Sequence, residues 1–491
     1  MPDVTPSAAP VFPIVGIGAS AGGLRALESF FHATAPAPGM AFVVVMHLAP
    51  DKPSLLAEIL ARHTAMTVEV ARDGQAVEKD TVYVLPPKAV LTISGGILRL
   101  QETDVAHHQR SPIDVFFSSL AHDRRENAVG VVLSGSGSDG VLGVRAIKAC
   151  LGVTIAQARD SSGPGFASMP DSAIASGLVD FAIPAVDIPG RLSEIFHGAG
   201  RSDGDASGER PLPEGGTAND ERDAIYGLLR KATGHDFSDY KIGSFMRRVF
   251  RRMQIHQCAT LPDYVALMRK DANEATLLFR DLLINVTSFF RDAEAFEALR
   301  QMAIPRLFED KTAADWVRVW TPGCSTGEEA ISIAIMLREF MDTLSAPPRV
   351  TIFATDVDEA ALAAARAGRY PERLVQGVSP ERLQRFFVAQ PGAYVVAREV
   401  RDLCAFSTHN LLRDPPFSRM DMISCRNLLI YFGGEAQRQL FPVFHYALRP
   451  GGLLFLGQSE TIGRFADLFR ALNTAKYVYQ ALDAARLGSC R

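Results

Sequence analysis

Short apolar runs, each ending in a turn and opening a helix-like stretch, recur through this chain and limit it to few folds. In the first half, FPIVGIG, MAFVVVMH, TVYVLP, NAVGVVLSG and VTIAQA read as strands. GLRALESFFHATA, SLLAEILARH, PIDVFFSSLAHD and GVLGVRAIKAC read as the helices between them. AVLTI and ILRL are joined by Ser94-Gly95-Gly96 and read as a hairpin. The remainder implies a mostly parallel sheet covered on both faces. In such sheets ligands gather at the carboxyl ends of the strands.

One stretch breaks the pattern. From Gly198 to Asp223 the chain is dense in Gly, Asp, Ser, Glu and Pro and nearly free of large apolar residues. It cannot bury enough surface to offset its ordering entropy and reads as a linker. Beyond it, residues 221–300 read as helices only, with KIGSFMRRVFRRMQIH the most basic. VRVWTPG, VTIFATD, DMISCRN and GGLLFLGQ then form a second strand series, and AYVVAREVRDLCAFSTHN reads as a small antiparallel insertion. The fold class is therefore α/β, with two doubly wound, mostly parallel sheets separated by a linker and a small all-helical domain. The boundaries expected are a disordered 1–10, a first sheet domain over 11–197, the linker over 198–222, the helical domain over 223–292 and a second sheet domain over 293–485.

Composition narrows the function. The 491 residues are 47% hydrophobic with a net charge of −4, which gives no global case for nucleic acid or for a membrane surface. No apolar run approaches the roughly 20 residues a spanning helix needs, and MPDVTPSAAP lacks the basic start and apolar core of a signal peptide. The six cysteines are scattered without metal spacing, and His107-His108 has no third ligand, so no metal is expected. Unpaired thiols suit a reducing cytoplasm.

VGIGASAGG, from Val15 to Gly23, nearly matches the dinucleotide fingerprint G-x-G-x-x-G/A. A dinucleotide site also needs an acidic residue about 20 positions on. Here the next strand ends in Met46-His47 instead. The alternative is a strand-to-helix turn that presents Ser20 as a nucleophile. His47 would be its general base. Asp139, in the turn after NAVGVVLSG, would orient the histidine ring. The Gly22-Gly23 pair would let backbone N–H groups approach an oxyanion. Each residue also has an ordinary reading: a helix cap, a strand-end histidine and a turn aspartate. Residue types alone leave both open.

The second half carries a different turn, Thr321-Pro322-Gly323-Cys324-Ser325-Thr326-Gly327-Glu328-Glu329, and its next strand does end in an acid, Asp356. Two glutamates at the helix start would repel a pyrophosphate. A cationic, phosphate-free cofactor with a ribose fits better, and S-adenosylmethionine is such a molecule. A Glu-rich first turn favoured by the helix dipole explains the glutamates, but not Asp356.

Both halves also resemble known families. GIGASAGG, VVVMHLAP, TVYVLPP, SPIDVFFSSLA, VVLSGSGSDGVLGVRAIK and AQARDSSGPGFASMPDSAIASGLVD, spanning Phe12 to about Ile195, resemble the catalytic domain of the chemotaxis protein-glutamate methylesterases (CheB). The resemblance implies Ser20 as nucleophile, His47 as base and Asp139 as its partner. It implies hydrolysis of glutamate γ-methyl esters on a receptor, with glutamine deamidation at the same positions. Ser136 stands where that family has a methionine contributing to the oxyanion hole, and Ala21 where it often has threonine. The family's usual N-terminal receiver domain does not precede this segment, so a separate receiver-domain protein is an expected partner. An esterase half reduced to a signalling scaffold is the alternative reading.

INVTSFFRDAEAF, WTPGCSTGEEAISIAI, FATDVDEAALAAARAGRY, THNLL, DMISCRNLLIYF and RPGGLLFLGQSE, within residues 223 to about 483, resemble the chemotaxis receptor glutamate methyltransferases (CheR). That resemblance implies S-adenosylmethionine held among Asn285, Thr287, Arg291, Glu329, Asp356, Asn410, Leu411, Arg426 and Asn427. Glu329 would meet the methionine amino group and Asp356 the ribose, with Arg291 and Tyr431 near the transferred methyl. Tyr240, Lys241, Arg247, Arg248, Arg251 and Arg252 fall in one helical stretch. A solvated basic face is the ordinary reading. The resemblance implies docking of that helix, through Arg247, Arg248, Arg251 and Arg252, on an acidic receptor helix. The partner expected is a methyl-accepting chemotaxis receptor, with no nucleic acid and no membrane insertion.

Overall fold

In the first strand, β1 (Ile14–Ala19), Val15, Ile17 and Ala19 face one apolar layer, while Ile14 faces the other beside Gly16 and Gly18. The computed structural model describes residues 12–20, 22–47, 54–102, 111–159, 166–197, 216–283, 287–472 and 477–482. The chain continues through α1 (Gly23–Ala33), β2 (Ala41–Met46), α2 (Leu56–Leu60), β3 (Thr67–Val70), β4 (Thr81–Val84), β5 (Ala89–Ser94) and β6 (Ile97–Glu102). Then come α3 (Pro112–Arg124), β7 (Ala128–Val132), α4 (Val141–Ala149), β8 (Val153–Gln157), α5 (Ser168–Ala175), β9 (Phe181–Ile183) and α6 (Ile188–His197). The strands form a seven-stranded sheet in the order β3-β4-β2-β1-β7-β8-β9, every pairing parallel. β5 and β6 form the expected hairpin, with Gly95 and Gly96 both at positive φ. The edge strands β3 and β9 are short and partly exposed, so neither shows as a strand-like run in the sequence.

The two strand glycines answer part of the question raised by G-x-G. A Cβ on Gly16 would lie 2.9 Å from the Phe117 ring, and one on Gly18 would lie 2.5 Å from Ile113. Their absent side chains let α3 lie close against the sheet, a packing role rather than a phosphate-binding one. Gly18→Ala is expected to destabilise the fold by about 1–3 kcal/mol through overpacking. It should also displace the first turn of α3. A denaturant midpoint equal to wild type would contradict this.

Helices α7 (Gly216–Thr233), α8 (Ile242–Ile255), α9 (Leu261–Lys270) and α10 (Ala272–Leu282) follow. The linker expected to reach residue 222 therefore stops before Gly216; its earlier part and residues 1–10 lie outside the described residues. The physical reason is propagation. Ile225 and Leu229, buried four residues apart, anchor a helix that extends backward through polar residues at little further cost.

The second sheet domain runs α11 (Ala293–Ala298), α12 (Ile304–Phe308), β10 (Trp316–Pro322), α13 (Glu328–Met341), β11 (Arg349–Asp356) and α14 (Glu359–Ala367). It continues with β12 (Arg369–Pro371), α15 (Pro380–Phe386), β13 (Phe387–Gln390), β14 (Ala393–Val396), α16 (Arg398–Arg401) and β15 (Cys404–Thr408). β16 (Met420–Cys425), α17 (Gly434–Ala447), β17 (Leu448–Leu456), β18 (Phe469–Ala471) and β19 (Val478–Ala481) complete it. Its main sheet has the order β15-β11-β10-β16-β17-β19-β18, with only the β17-β19-β18 end antiparallel. The small antiparallel sheet is β12-β14-β13. The insertion read near 393–408 is thus corrected: Ala393–Val396 belongs to it, whereas Cys404–Thr408 is a parallel strand beside β11.

The chain divides into two compact units. One comprises Met1–Asp236 and Phe245–Ile284, the other Phe237–Ser244 and Asn285–Arg491. Helices α7, α9, α10 and all but the first three residues of α8 fall in the unit that holds the first sheet.

Candidate functional site

In the first unit the chain leaves β1 toward β2 on one side of the sheet and returns to β7 on the other. The crevice between β1 and β7 is the switch point where such sheets bind ligands. Ser20 follows β1 directly, is 6% exposed, and donates its backbone N–H to the Ser134 carbonyl at 3.1 Å. Gly22, at φ +77°, turns the chain into α1. His47 follows β2, and its Nε2 lies 2.7 Å from Asp139 Oδ2. Asp139 is buried at the start of α4.

The carboxylate is fixed by a neighbouring helix. Asp139 Oδ2 accepts the Ile113 N–H at 3.2 Å and Oδ1 accepts the Asp114 N–H at 3.1 Å, both in the first turn of α3. A helix N-terminus favours an anion there. Asp114 in turn accepts the Gly143 N–H at 2.8 Å, so the starts of α3 and α4 interlock. A carboxylate only accepts, so His47 Nε2 carries the proton and Nδ1 is left as the basic nitrogen. No hydrogen bond joins the Ser20 hydroxyl to the His47 ring among the described residues; such contacts are often loose without substrate.

Of the N–H groups expected to meet an oxyanion, that of Gly23 is taken by the Ser20 carbonyl at 2.9 Å. Gly135 and Gly137 donate to the Phe166 carbonyl and to Ser168 Oγ. The N–H groups of Gly22 and Ser136 have no acceptor among the described residues, and Ala21 lies outside them. Ser136 therefore offers the same main-chain donor a methionine would. Ser134, Gln157 and Phe166 carried no signal in the sequence. Gln157 Oε1 accepts the Ser134 N–H, and Ser134 Oγ bonds both the carbonyl and the N–H of Phe166. The half-exposed Phe166 ring lies over Gly22, giving the crevice an apolar wall.

The second unit repeats the logic with different chemistry. Its switch point lies between β10 and β16. The turn after β10 has Gly323, Ser325 and Gly327 all at positive φ. Asp356, at the tip of β11, accepts the Ser325 N–H at 2.7 Å and the Asp358 N–H at 2.9 Å. Burial pushes its carboxyl above the usual value, opposed by those backbone bonds. Glu329 accepts from Ser424 Oγ at 2.7 Å and pairs with Arg426 at 3.3 Å. Burial raises its pKa too, against the pull of Arg426. Glu328, the other acid of the turn, is fully buried and accepts from Thr326 Oγ1.

Arg426 has no exposed side-chain surface. It also donates to the Arg291 carbonyl and to Asp292, with its guanidinium over Phe296 and Phe455. Asn427, at φ +57°, donates its N–H to Glu460, whose carboxylate also receives the N–H groups of Leu428, Leu429 and Gly457. Neither Glu460 nor Asp292 was singled out from the sequence. Asn410 follows His409, whose N–H bonds the Asp356 carbonyl, and Leu411 packs against the apolar layer around Trp320. Thr287 and Arg291 are half-buried, the Arg291 carbonyl meeting Arg426, and Asn285 lies outside the described residues. The Tyr431 carbonyl accepts the Lys241 N–H at 2.8 Å. Tyr240 packs edge-on against Phe432, and its hydroxyl is raised by burial and by the charges of Asp356 and Tyr431. Around the turn, among the described residues, the carboxylates of Asp356, Glu328, Glu329 and Glu460 outnumber the cations Arg291 and Arg426, the latter already paired. That donor set suits a cation bearing a ribose and an ammonium group and disfavours a pyrophosphate.

The arginine face of α8 is a correction. Arg247 is exposed, but Arg248, Arg251 and Arg252 are 6%, 4% and 3% exposed. Arg252 grips Glu274 with two bonds, at 2.8 and 2.5 Å, and His256 and Tyr264 reach the same carboxylate. Arg251 lies between Asp180 and Asp281, both at 2.5 Å. The four-residue spacing that reads as a solvated stripe is here a buried one, because acidic partners distant in sequence meet it. Burial acts to raise Glu274, yet Arg252 and His256 hold it at about 2, below its ordinary 4.5. Asp180 is likewise held low by Arg251 and Lys148 against burial. A depressed carboxyl contributes stability that is present above its ordinary value and lost as pH falls through the folded one. The first unit is therefore expected to lose up to about 3 kcal/mol from Glu274 alone between roughly pH 5 and 2. Thermal unfolding across that range checks this. An acid slope identical in wild type and Glu274→Gln would contradict it.

No described helix is long and apolar enough to cross a membrane. Residues 15–192 match the family model of the CheB methylesterases. Residues 220–283 match the all-alpha domain of the CheR methyltransferases, and 285–478 their SAM binding domain. A 104.1 kDa protein from the hypE 3' region of Rhodobacter capsulatus is 38% identical over 443 residues, 87% of this chain. The chain spans 46% of that relative's length. The chemotaxis protein methyltransferase of Listeria monocytogenes is 33% identical over 261 residues, covering 52% of this chain and 97% of that protein. The CheB methylesterase catalytic domain of Thermotoga maritima is 30% identical, with a TM-score of 0.35, covering 38% of this chain and 98% of that domain. The second half thus carries a domain for S-adenosylmethionine, and the chain belongs to the chemotaxis methylesterase (CheB) and methyltransferase (CheR) families, joined in one polypeptide.

Proposed function

We propose that this chain both forms and hydrolyses methyl esters of glutamate side chains on a chemotaxis-type receptor. The observation that carries the reading is the presence of two switch-point sites on one chain, each with its own chemistry. One holds the His47–Asp139 pair beside Ser20, the other the carboxylate cradle around Glu329 and Asp356.

In the first site, Ser20 Oγ attacks the ester carbonyl while His47 Nδ1 takes its proton. The N–H groups of Gly22 and Ser136 receive the developing oxyanion. His47 returns the proton to the departing methoxide as methanol. Water, deprotonated by the same histidine, then releases the free glutamate. A glutamine amide fits the same sequence of steps with ammonia leaving, so deamidation belongs to the proposal.

In the second site, bound S-adenosylmethionine supplies an electrophilic methyl group. Glu329 meets its amino end, and Asn285 and Thr287 belong to the same cofactor set by the resemblance. Asp356 meets the ribose hydroxyls, within a cofactor set that includes Asn410, Leu411, Arg426 and Asn427. The acceptor glutamate is already ionised at neutral pH and needs no base. Arg291 and Tyr431 hold it in line, so the residues act by positioning. The unpaired cysteines among the described residues agree with a cytoplasmic location, where we place the protein.

The test uses a receptor fragment carrying glutamate methyl esters, without S-adenosylmethionine. Wild type should release methanol, and Ser20→Ala should lose at least about 10³-fold of that rate. Release undiminished in Ser20→Ala would remove the serine from the mechanism. No release from wild type would make the first half a binding module. With labelled S-adenosylmethionine and an unmethylated fragment, Ser20→Ala should accumulate base-labile methyl; none would overturn the second half of the reading.

A further inference from the structure

The buried cluster on α8 has a composition that bears on what the helix is for. Lys148, at the end of α4, and Asp180, just before β9, come from the sheet domain and lie 3.0 Å apart. Arg251, on α8, and Asp281, on α10, come from the helical segment and lie 2.5 Å apart. Each part thus brings its own ion pair. The pairs meet as a group of four whose charges balance, with Lys148–Asp281 at 2.9 Å and Arg251–Asp180 at 2.5 Å, and Arg252 lies 4.0 Å from Asp281 at its edge. Around it the arginines satisfy main-chain acceptors. Arg248 bonds the Lys148 and Ala149 carbonyls at the end of α4, and Arg251 bonds the Gly152 carbonyl twice. From the other side, Arg191 of α6 donates to the Ile255 carbonyl at the end of α8. Buried charge tolerates little error in geometry, since one missing partner leaves the others uncompensated.

We propose that the arginine face of α8 is a docking surface whose partner is this chain's own methylesterase sheet, at the α4–β8 turn and the start of β9. Arg248 and Arg251 are therefore withheld from any acidic partner helix while the cluster is intact, Arg252 is held within the helical segment by Glu274, and Arg247 is left as the exposed arginine of that helix. The docking stands on geometry alone; the statement about an acidic partner rests on the receptor reading above.

Hydrogen exchange on the full-length protein tests the docking. Asp180→Asn keeps the shape and removes one charge. Exchange of α8 and α10 amides should rise at least about tenfold, with β1 and β2 unchanged and the exposed control Arg247→Ala silent. Should Asp180→Asn unfold the sheet itself, Arg251→Met with Asp281→Asn makes the same test from the other side, read at β8 and β9. Exchange in these elements equal to wild type would overturn the docking. A glutamate-rich helical peptide tests the consequence. Wild type should bind it weakly, without dependence on Arg251, and Asp180→Asn should bind it at least tenfold more tightly. Binding to wild type that is lost in Arg251→Ala while α8 stays protected would mean the face is open, overturning the sequestration and leaving the receptor reading intact.

Discussion

Asp139→Asn is expected to lower ester hydrolysis by about three to four orders of magnitude while leaving the fold intact. The cause is tautomeric. Asp139 accepts the Nε2 proton of His47, and two α3 N–H groups keep its oxygens oriented for that. Asparagine has a single acceptor oxygen; kept on the Asp114 N–H, it puts the NH₂ in place of Oδ2, where it gives up the Ile113 N–H and faces Nε2. The ring must then place its proton on Nδ1, the nitrogen that should receive the serine proton. Little size changes, so the denaturant midpoint should move far less than the rate. Steady-state hydrolysis, set beside that midpoint, separates the two. A rate within tenfold of wild type would mean that Asp139 only shapes the α4 turn.

Arg426→Met is expected to abolish measurable S-adenosylmethionine binding and to cost about 3–5 kcal/mol in stability. Its guanidinium, sealed from solvent, pairs with both Glu329 and Asp292. Methionine fills part of the volume over Phe296 and Phe455 but leaves two acids uncompensated. Glu329, already raised by burial, loses the cation that opposes the shift and is driven toward its neutral form. A neutral acid holds an ammonium group poorly. Titration calorimetry with S-adenosylhomocysteine reads the affinity, and a thermal melt reads the stability. Affinity within a few-fold of wild type would remove Arg426 from the cofactor site's support.

The parts of the site visible in the sequence sit at strand tips. Ser20, His47, Asp139 and Asp356 each follow a short apolar run, and the strand period places such residues at the edge of a parallel sheet. The glycines gave a mixed signal. Gly16 and Gly18 imitate a nucleotide fingerprint because both need a missing Cβ, one for a phosphate and the other for α3. Glu460 was invisible as a functional residue. It serves three N–H groups more than thirty positions earlier, a contact that no local pattern encodes. Cys404–Thr408 was misplaced because a short strand next to an antiparallel insertion has the same alternation whichever sheet it joins.

By itself the sequence determined two α/β halves, the separating polar stretch, the strand tips bearing the reactive groups and the acidic character of the second turn. All of these follow from periodicity, turn chemistry and charge within a few residues. Only the tertiary structure decided which ring nitrogen of His47 is basic, which N–H groups remain for an oxyanion, and that the arginines of α8 face inward. Those features depend on groups brought together from up to about a hundred residues apart. A helix stripe of arginines looks the same in sequence whether water or a buried carboxylate waits across from it.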